Sequence, residues 1–330
     1  MMRTSIADTD DRGLIWGFRL EPLEPCGCEV LDGDSHGAGT WLHFNLTDSR
    51  ARRWIEQAEM PDAARTLLLE PETRAHVRLH PGGISLVVSD MQQDFTARSA
   101  QDPASFATLR LYVDAGRVIT GRHRPLEAMR AVHHELAATK TQSTPVEVLA
   151  RILERLASAF ADHVRHYADA LDTAEDDILG GHYLAHGPLL SRGRRAMARL
   201  RRHLVADLAA LQAVPDAIAS WCDPEHCQRI RQAVLRFGAV AQEVDFVQER
   251  SRLLQDEINN HLNETTNRNL YLLSVVTTGA LPATLITGIF GMNVGGLPLS
   301  ESHSGFAWVL TGTLLLMAAA MFILIRRSRP

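Results

Sequence analysis

From Asn269 to Ile325 the chain has no Lys or Arg and one acid, Glu301. Two apolar runs fill most of this stretch: LYLLSVVTTGALPATLITGIF over 270–290 and FAWVLTGTLLLMAAAMFILI over 306–325. Each is about 20 residues long, enough to cross a hydrocarbon layer of roughly 30 Å as a helix. Charge-free runs of this length are rare in the cores of soluble proteins. The N-terminus, MMRTSIADTDDRG, lacks the apolar stretch of a secretory signal. The chain is therefore expected to hold a charged body followed by two membrane helices.

Orientation follows from positive charge. Arg268 flanks the first run, and Arg326, Arg327 and Arg329 flank the second, whereas 291–305 holds no Lys or Arg. The positive-inside rule puts both termini in the cytoplasm and the short turn outside. In a reducing cytoplasm Cys26, Cys28, Cys222 and Cys227 are expected to be thiols. Four cysteines in 330 residues also exclude a disulfide scaffold, and a formal charge of -5 argues against a nucleic-acid binder.

The body divides by period. Segments 14–20, 40–46, 75–81, 83–90, 108–114 and 117–122 are short, rich in β-branched or aromatic residues, and bounded by Gly, Pro or Asp. They read as strands, with 49–59 and 61–70 as helices between them. Turns are expected at His80-Pro81-Gly82-Gly83 and Asp114-Ala115-Gly116. Beyond Pro125 the spacing becomes helical over 125–140, 145–180 and 188–214, and Gly180-Gly181 to Gly187-Pro188 marks a helical hairpin. Between Pro224 and Pro282 there is no proline, and between Gly238 and Gly279 no glycine. Ile230, Val234, Phe237, Val244, Val247, Leu254, Ile258 and Leu262 form a seam with a spacing near 3.5, as in a coiled coil. One helix over about 225–290, roughly 100 Å long, is expected.

The fold class predicted is therefore α+β: a mixed α/β layer domain with a long helical bundle, followed by two transmembrane helices. The expected segments are 1–135 (layer domain), 136–268 (helical linker and stalk), 269–290 (first membrane helix), 291–305 (outer turn), 306–325 (second membrane helix) and 326–330 (basic tail).

Another face of the long helix is polar. Alternate steps of four and three from Asp256 meet Asn260, Asn263, Asn267, Leu270, Ser274, Thr277, Leu281, Thr284 and Gly288. These lie along one face, with the slow drift a supercoil absorbs. Ser and Thr can bond their own i-4 carbonyls, which explains the hydroxyls singly. It does not explain why Asp256, Asn260, Asn263 and Asn267 extend the same line beyond the apolar run. Polar groups left unsatisfied in lipid are costly, so this face is expected to meet protein or water. Two membrane helices cannot enclose an aqueous path. A path therefore needs several copies in a ring, the first helix inside and the second outside.

Tyr271 to Pro298 reads YLLSVVTTGALPATLITGIFGMNVGGLP. The tripeptide Gly291-Met292-Asn293, directly after a membrane helix containing LPATLITGIF, resembles the signature of the CorA superfamily of divalent-cation transport proteins. The preceding ETTNRNLYLLSVVTT and the following VGGLP are similar to its zinc-transporter branch, ZntB. Magnesium channels of the family usually continue with Met-Pro-Glu, where this chain has Gly295-Gly296-Leu297-Pro298. The resemblance is close over about 225–298 and elsewhere follows the family in the order of its parts.

The resemblance implies a homopentameric funnel in a bacterial inner membrane, with divalent cations as cargo and the lipid bilayer and its own copies as partners. It implies that Asn293 offers its amide oxygen to a hydrated ion at the outer mouth, Gly291 permits the turn and Met292 packs below. Asn267, Thr277 and Thr284 would line the pore, Leu270, Leu273 and Leu281 would narrow it, and Asp256 would form an acidic ring. The expected function is zinc transport driven by membrane potential or protons, with direction left open. Two other functions are carried: a magnesium, cobalt or nickel channel, and a membrane-anchored sensor without flux.

Cys222, His226 and Cys227 lie within WCDPEHC, whose residue types suit zinc. The spacing is not that of a standard knuckle, and Asp223 and Pro224 read equally as the cap and first residue of the long helix. A capped helix start with incidental thiols is the preferred reading, and a cytoplasmic zinc-sensing site the other. The arginine run over 192–202 reads as a solvated helix face. There is no P-loop, GxSxG or HExxH, so no enzyme, nucleotide, nucleic acid or resident cofactor is expected.

Overall fold

A computed structural model describes residues 13–21, 23–26, 39–70, 74–92, 106–138, 142–183, 186–292 and 303–327. The chain divides into two compact units, Met1–Gln255 and Asp256–Pro330.

The first unit holds a seven-stranded sheet. Its strands are β1 (Leu14–Leu20), β2 (Leu23–Pro25), β3 (Thr40–Asn45), β4 (His76–His80), β5 (Gly83–Met91), β6 (Phe106–Asp114) and β7 (Arg117–Arg122). The order is β2-β1-β3-β7-β6-β5-β4. Neighbours are antiparallel except β3 and β7, which run parallel from the pair Thr40–Arg117 to the pair Asn45–Arg122. Gly82 turns β4 into β5 with a φ of 75°, a conformation that costs glycine little. The Gly116 amide donates to Asp114 Oδ1 (2.9 Å) in the turn between β6 and β7.

Helices cover both faces. Helices α1 (Ser49–Gln57) and α2 (Asp62–Leu69) pack on Leu14, Leu42, Phe44, Tyr112 and Ile119. Asp48 caps α1 by accepting from the Arg50 amide at 2.8 Å. On the other face Trp16 stacks on His43 and touches His133 of α3 (Glu127–Ala138), at ring separations of 4.1 and 4.5 Å. All nine residues of β5 are buried, which is why that strand reads as a run rather than an alternation.

Helix α4 (Pro145–Leu179) starts with Thr144 accepting from the Glu147 amide and Pro145 in its first turn. It ends at Gly180, and Gly181 at a φ of 91° begins the return to α5 (Gly187–Leu211). The single helix expected over 188–214 stops at Leu211, and a five-residue helix, α6 (Val214–Ile218), follows. Pro215 lacks the amide hydrogen that would continue α5.

Helix α7 runs unbroken from Pro224 to Phe290, 67 residues. Asp223 Oδ1 accepts from the Glu225 amide at 2.9 Å and caps it. Its seam from Ile230 to Ile258 is buried, while Leu262 is 40% exposed. Within the first unit the seam meets α4: Phe237 packs edge-on against Phe160, Tyr167 Oη lies 2.9 Å from Ser251 Oγ, and Arg229 forks onto Glu154 at 2.9 and 3.1 Å.

Two carboxyls are buried in this unit. Asp90 accepts from the Met91 amide (2.7 Å) and the Ala128 amide (3.2 Å), and Asp207 from the Ser89 amide (3.0 Å). Loss of solvent pushes Asp90 up to about 7 and Asp207 up to about 8.

The second unit holds the rest of α7 and helix α8 (Gly305–Arg327). Among the described residues α7 and α8 are the two helices long and apolar enough to cross a membrane.

Candidate functional site

One face of α7 in the second unit is covered and another is open. Val275, Thr278, Gly279, Pro282, Ala283 and Ile286 are partly or fully buried. Helix α8 meets this face at Gly279, where a Cβ would lie 3.6 Å from Met321 Cε and 4.0 Å from Met317 Cε. At 100° per residue the face centres roughly 150° around the helix from Ser274, Thr277, Leu281, Thr284 and Gly288. Those five are exposed, as are Asp256, Asn260, Asn263, Asn267 and Leu270. Leu273, beside the stripe, is exposed too. The second membrane helix thus leaves the polar face uncovered within one chain.

The covered face went unread in the sequence, although Gly279 and Ala283 are a small-xxx-small pair of the kind that lets membrane helices approach. Pro282 between them leaves the Thr278 carbonyl without its usual amide donor.

The hydroxyls of the stripe are satisfied locally. Ser274 Oγ donates to the Leu270 carbonyl (2.9 Å), Thr277 Oγ1 to Leu273 (2.8 Å) and Thr284 Oγ1 to Ala280 (2.9 Å). Thr287, off the stripe, does the same to Ala283 at 2.7 Å. The hydrogens alone therefore do not force this face away from lipid, contrary to the expectation from unsatisfied polarity. A bound hydroxyl hydrogen fixes the rotamer and leaves the oxygen lone pairs outward. The face consequently presents acceptors: hydroxyl oxygens at 274, 277 and 284, amide oxygens at 260, 263 and 267, and the carboxyl group of Asp256.

The helix carries on into the turn. The Gly291 amide donates to the Thr287 carbonyl at 2.9 Å, and the Met292 amide to the Ile289 carbonyl at 3.3 Å. A Cβ at Gly291 would sit 3.0 Å from that Thr287 oxygen, a tight contact that favours glycine. Met292 is exposed within the chain. Asn293, Gly295 to Pro298 and Glu301 lie outside the described residues.

The thiol cluster is not assembled as a metal site. Among the described residues no three of His, Cys, Asp and Glu are grouped to hold a metal ion. Cys222 Sγ donates to the Asp223 carbonyl at 3.2 Å, and burial with the neighbouring Cys227 thiol pushes it up to about 12. The Cys222 and Cys227 thiols are within hydrogen-bond reach of each other. The two thiols of the set Cys222, His226 and Cys227 are thus brought together without a third ligand among the described residues, and Asp223 caps the helix beside them.

Comparison with known proteins agrees with this architecture. The family described as "CorA-like Mg2+ transporter protein" matches residues 37–327. The divalent cation transporter CmaX of Pseudomonas aeruginosa is 28% identical over 308 residues, covering 90% of this chain and 91% of CmaX. The zinc transport protein ZntB of Cronobacter sakazakii is 24% identical, covering 87% of this chain and 86% of ZntB. The full-length CmaX structure superposes with a TM-score of 0.81 at 26% identity, over 97% of this chain and 99% of that one. The CorA magnesium transporter of Methanocaldococcus jannaschii shares the fold with a TM-score of 0.77 at 16% identity, over 95% and 97% of the two chains. An α/β domain, a helix running on into the first of two apolar spans, and a family match over nearly the whole length make this chain a member of the CorA-like family of divalent-cation transporters.

Proposed function

We propose that this protein carries divalent cations, zinc foremost, across a bacterial inner membrane along an axis shared by five copies. The observation that supports this reading most is the uncovered acceptor face from Asp256 to Gly288, set roughly opposite the face that α8 packs on. Copies that turn this face inward and α8 outward would enclose a path neither helix can make alone.

The chemistry of the face suits an ion that keeps its water. Coordinated water directs its hydrogens outward, so the second shell must accept. Back-bonded hydroxyls, amide oxygens and a carboxylate all do so. Leu270, Leu273 and Leu281 would narrow the path, and Gly288 would leave it wide near the outer end. Asn293 would receive the ion at the mouth. With Arg268, Arg326 and Arg327 on the cytoplasmic side, inward flux runs down the membrane potential. Two charges through 100 mV gain about 4.6 kcal/mol, so no nucleotide is required.

Zinc is favoured by the sequence Gly295-Gly296-Leu297-Pro298 and by the ZntB relatives. A second reading, a magnesium, cobalt or nickel channel, draws on the stripe itself, which has oxygens and no His or Cys. Uptake of zinc into proteoliposomes, with magnesium as competitor, separates the two. Zinc uptake that magnesium leaves unchanged, and that Asn293→Ala abolishes without dissociating the oligomer, is the expected result. Magnesium uptake that zinc does not displace would favour the second reading, and no flux of any divalent ion would overturn both.

A further inference from the structure

Far in sequence from the membrane helices, the end strand β4 and helix α5 border a groove of about 1060 Å3. Arg74 and His76 reach it from the strand side, and Arg199, Arg202 and His203 from the helix. Positions 199, 202 and 203 share one helix face by their spacing of three and four. Among the described residues none of these three arginines has an ion pair, whereas Arg201, one position from Arg202, bonds Asp245. No carboxylate lines the groove, again among the described residues. Asp207, further along the same helix, is held largely protonated at neutral pH by its burial.

Two buried nitrogens of groove-lining residues lack a hydrogen-bond partner among the described residues: Arg199 Nε and His76 Nε2. His76 Nδ1 lies 2.9 Å from the Arg74 carbonyl, which can only accept, so Nδ1 carries a proton. The rest of the helix wall is methyl groups, from Ala206, Ala209, Ala210 and Ala213. Guanidinium groups without an ion pair among the described residues, beside an apolar wall, match a ligand with an anionic end and a flat apolar body. The volume lies just above the roughly 300–1,000 Å3 typical of small-molecule sites.

We propose that the groove between β4 and α5 binds a phosphorylated small molecule of nucleotide size. Arg74, Arg199 and Arg202 hold its phosphate oxygens, for which a guanidinium fork is well shaped, and the alanine wall holds its ring. The site uses no residue of the membrane helices, so it stands or falls separately from the ion path.

Titration calorimetry on the full-length protein in detergent tests this with ADP, adenosine, pyrophosphate and a glutamate-rich peptide. ADP should bind saturably, pyrophosphate more weakly, and adenosine not at all. R199Q and R202Q should each weaken ADP at least tenfold with an unchanged circular dichroism spectrum, and R201Q should leave it unaltered. Absence of ADP binding, adenosine binding as well as ADP, indifference to R199Q and R202Q, or preference for the acidic peptide would each overturn the proposal.

Discussion

Gly279 of the first membrane helix lies against Met321 of the second: a Cβ built on Gly279 would rest 3.6 Å from Met321 Cε. That distance is ordinary van der Waals contact, so one methyl group fits and a larger side chain does not. The contact fixes which side of α7 the second helix occupies, and hence which side stays open.

Gly279→Ala should therefore be tolerated, and Gly279→Leu should not. Overpacking of this kind costs about 1–3 kcal/mol. Thermal unfolding in detergent should show a lowered midpoint for Gly279→Leu and a near-native one for Gly279→Ala. Equal midpoints would mean the two helices do not meet there.

Thr284 and Thr311 make the same local bond, each hydroxyl donating to its i-4 carbonyl at 2.9 and 2.8 Å. They differ in helix: Thr284 is on the open face of α7 and Thr311 on α8. Replacing either by Val removes one hydroxyl–carbonyl bond at equal volume. Zinc flux in proteoliposomes should fall at least tenfold for Thr284→Val and stay within about twofold for Thr311→Val. Similar losses would point to helix stability rather than the ion path.

Asp207 gives the first unit a pH dependence of definite sign. Burial holds it up to about 8, while an unfolded carboxyl ionises near 4. Between those values the folded chain keeps a proton that the unfolded chain has released. Stability contributed by this group is thus full at low pH, falls as pH rises through the window, and levels off above about 8. Asp207→Asn keeps an acceptor for the Ser89 amide and cannot ionise. Its melting temperature relative to wild type should rise from pH 5 to pH 8, and a constant difference would contradict the assignment.

The sheet's long strands and the helices were legible because their patterns are local. Six of the seven strands announce themselves by β-branched and aromatic runs between turn residues, and α7 by the absence of Pro between Pro224 and Pro282 and of Gly between Gly238 and Gly279. Strand β2 escaped because three residues, Leu23–Pro25, carry no period. The parallel pairing of β3 with β7 is set by partners far apart in sequence, which no local pattern reports.

Charged residues misled for a related reason. Arg110, Asp90 and Asp207 are buried, each held by hydrogen bonds that only the folded chain brings together. The 192–202 run reads as solvated surface, yet Arg199 is half-buried, with a buried Nε, and lines a groove. The acceptor stripe was visible because its spacing lies within one helix. Its contrast with the face that α8 packs on appeared only with α8 in place, although Gly279 and Ala283 hinted at it.

The stripe's role is tested most directly by a thiol placed on it. In a background with the four native cysteines replaced by serine, Thr277→Cys sits on the open face and Val276→Cys about 100° away. A small membrane-impermeant thiol reagent should block zinc flux through Thr277→Cys, with zinc slowing the block, and leave flux through Val276→Cys unchanged. Flux that persists in the treated Thr277→Cys protein, after the thiol itself is shown to be modified, would contradict an ion path along this face.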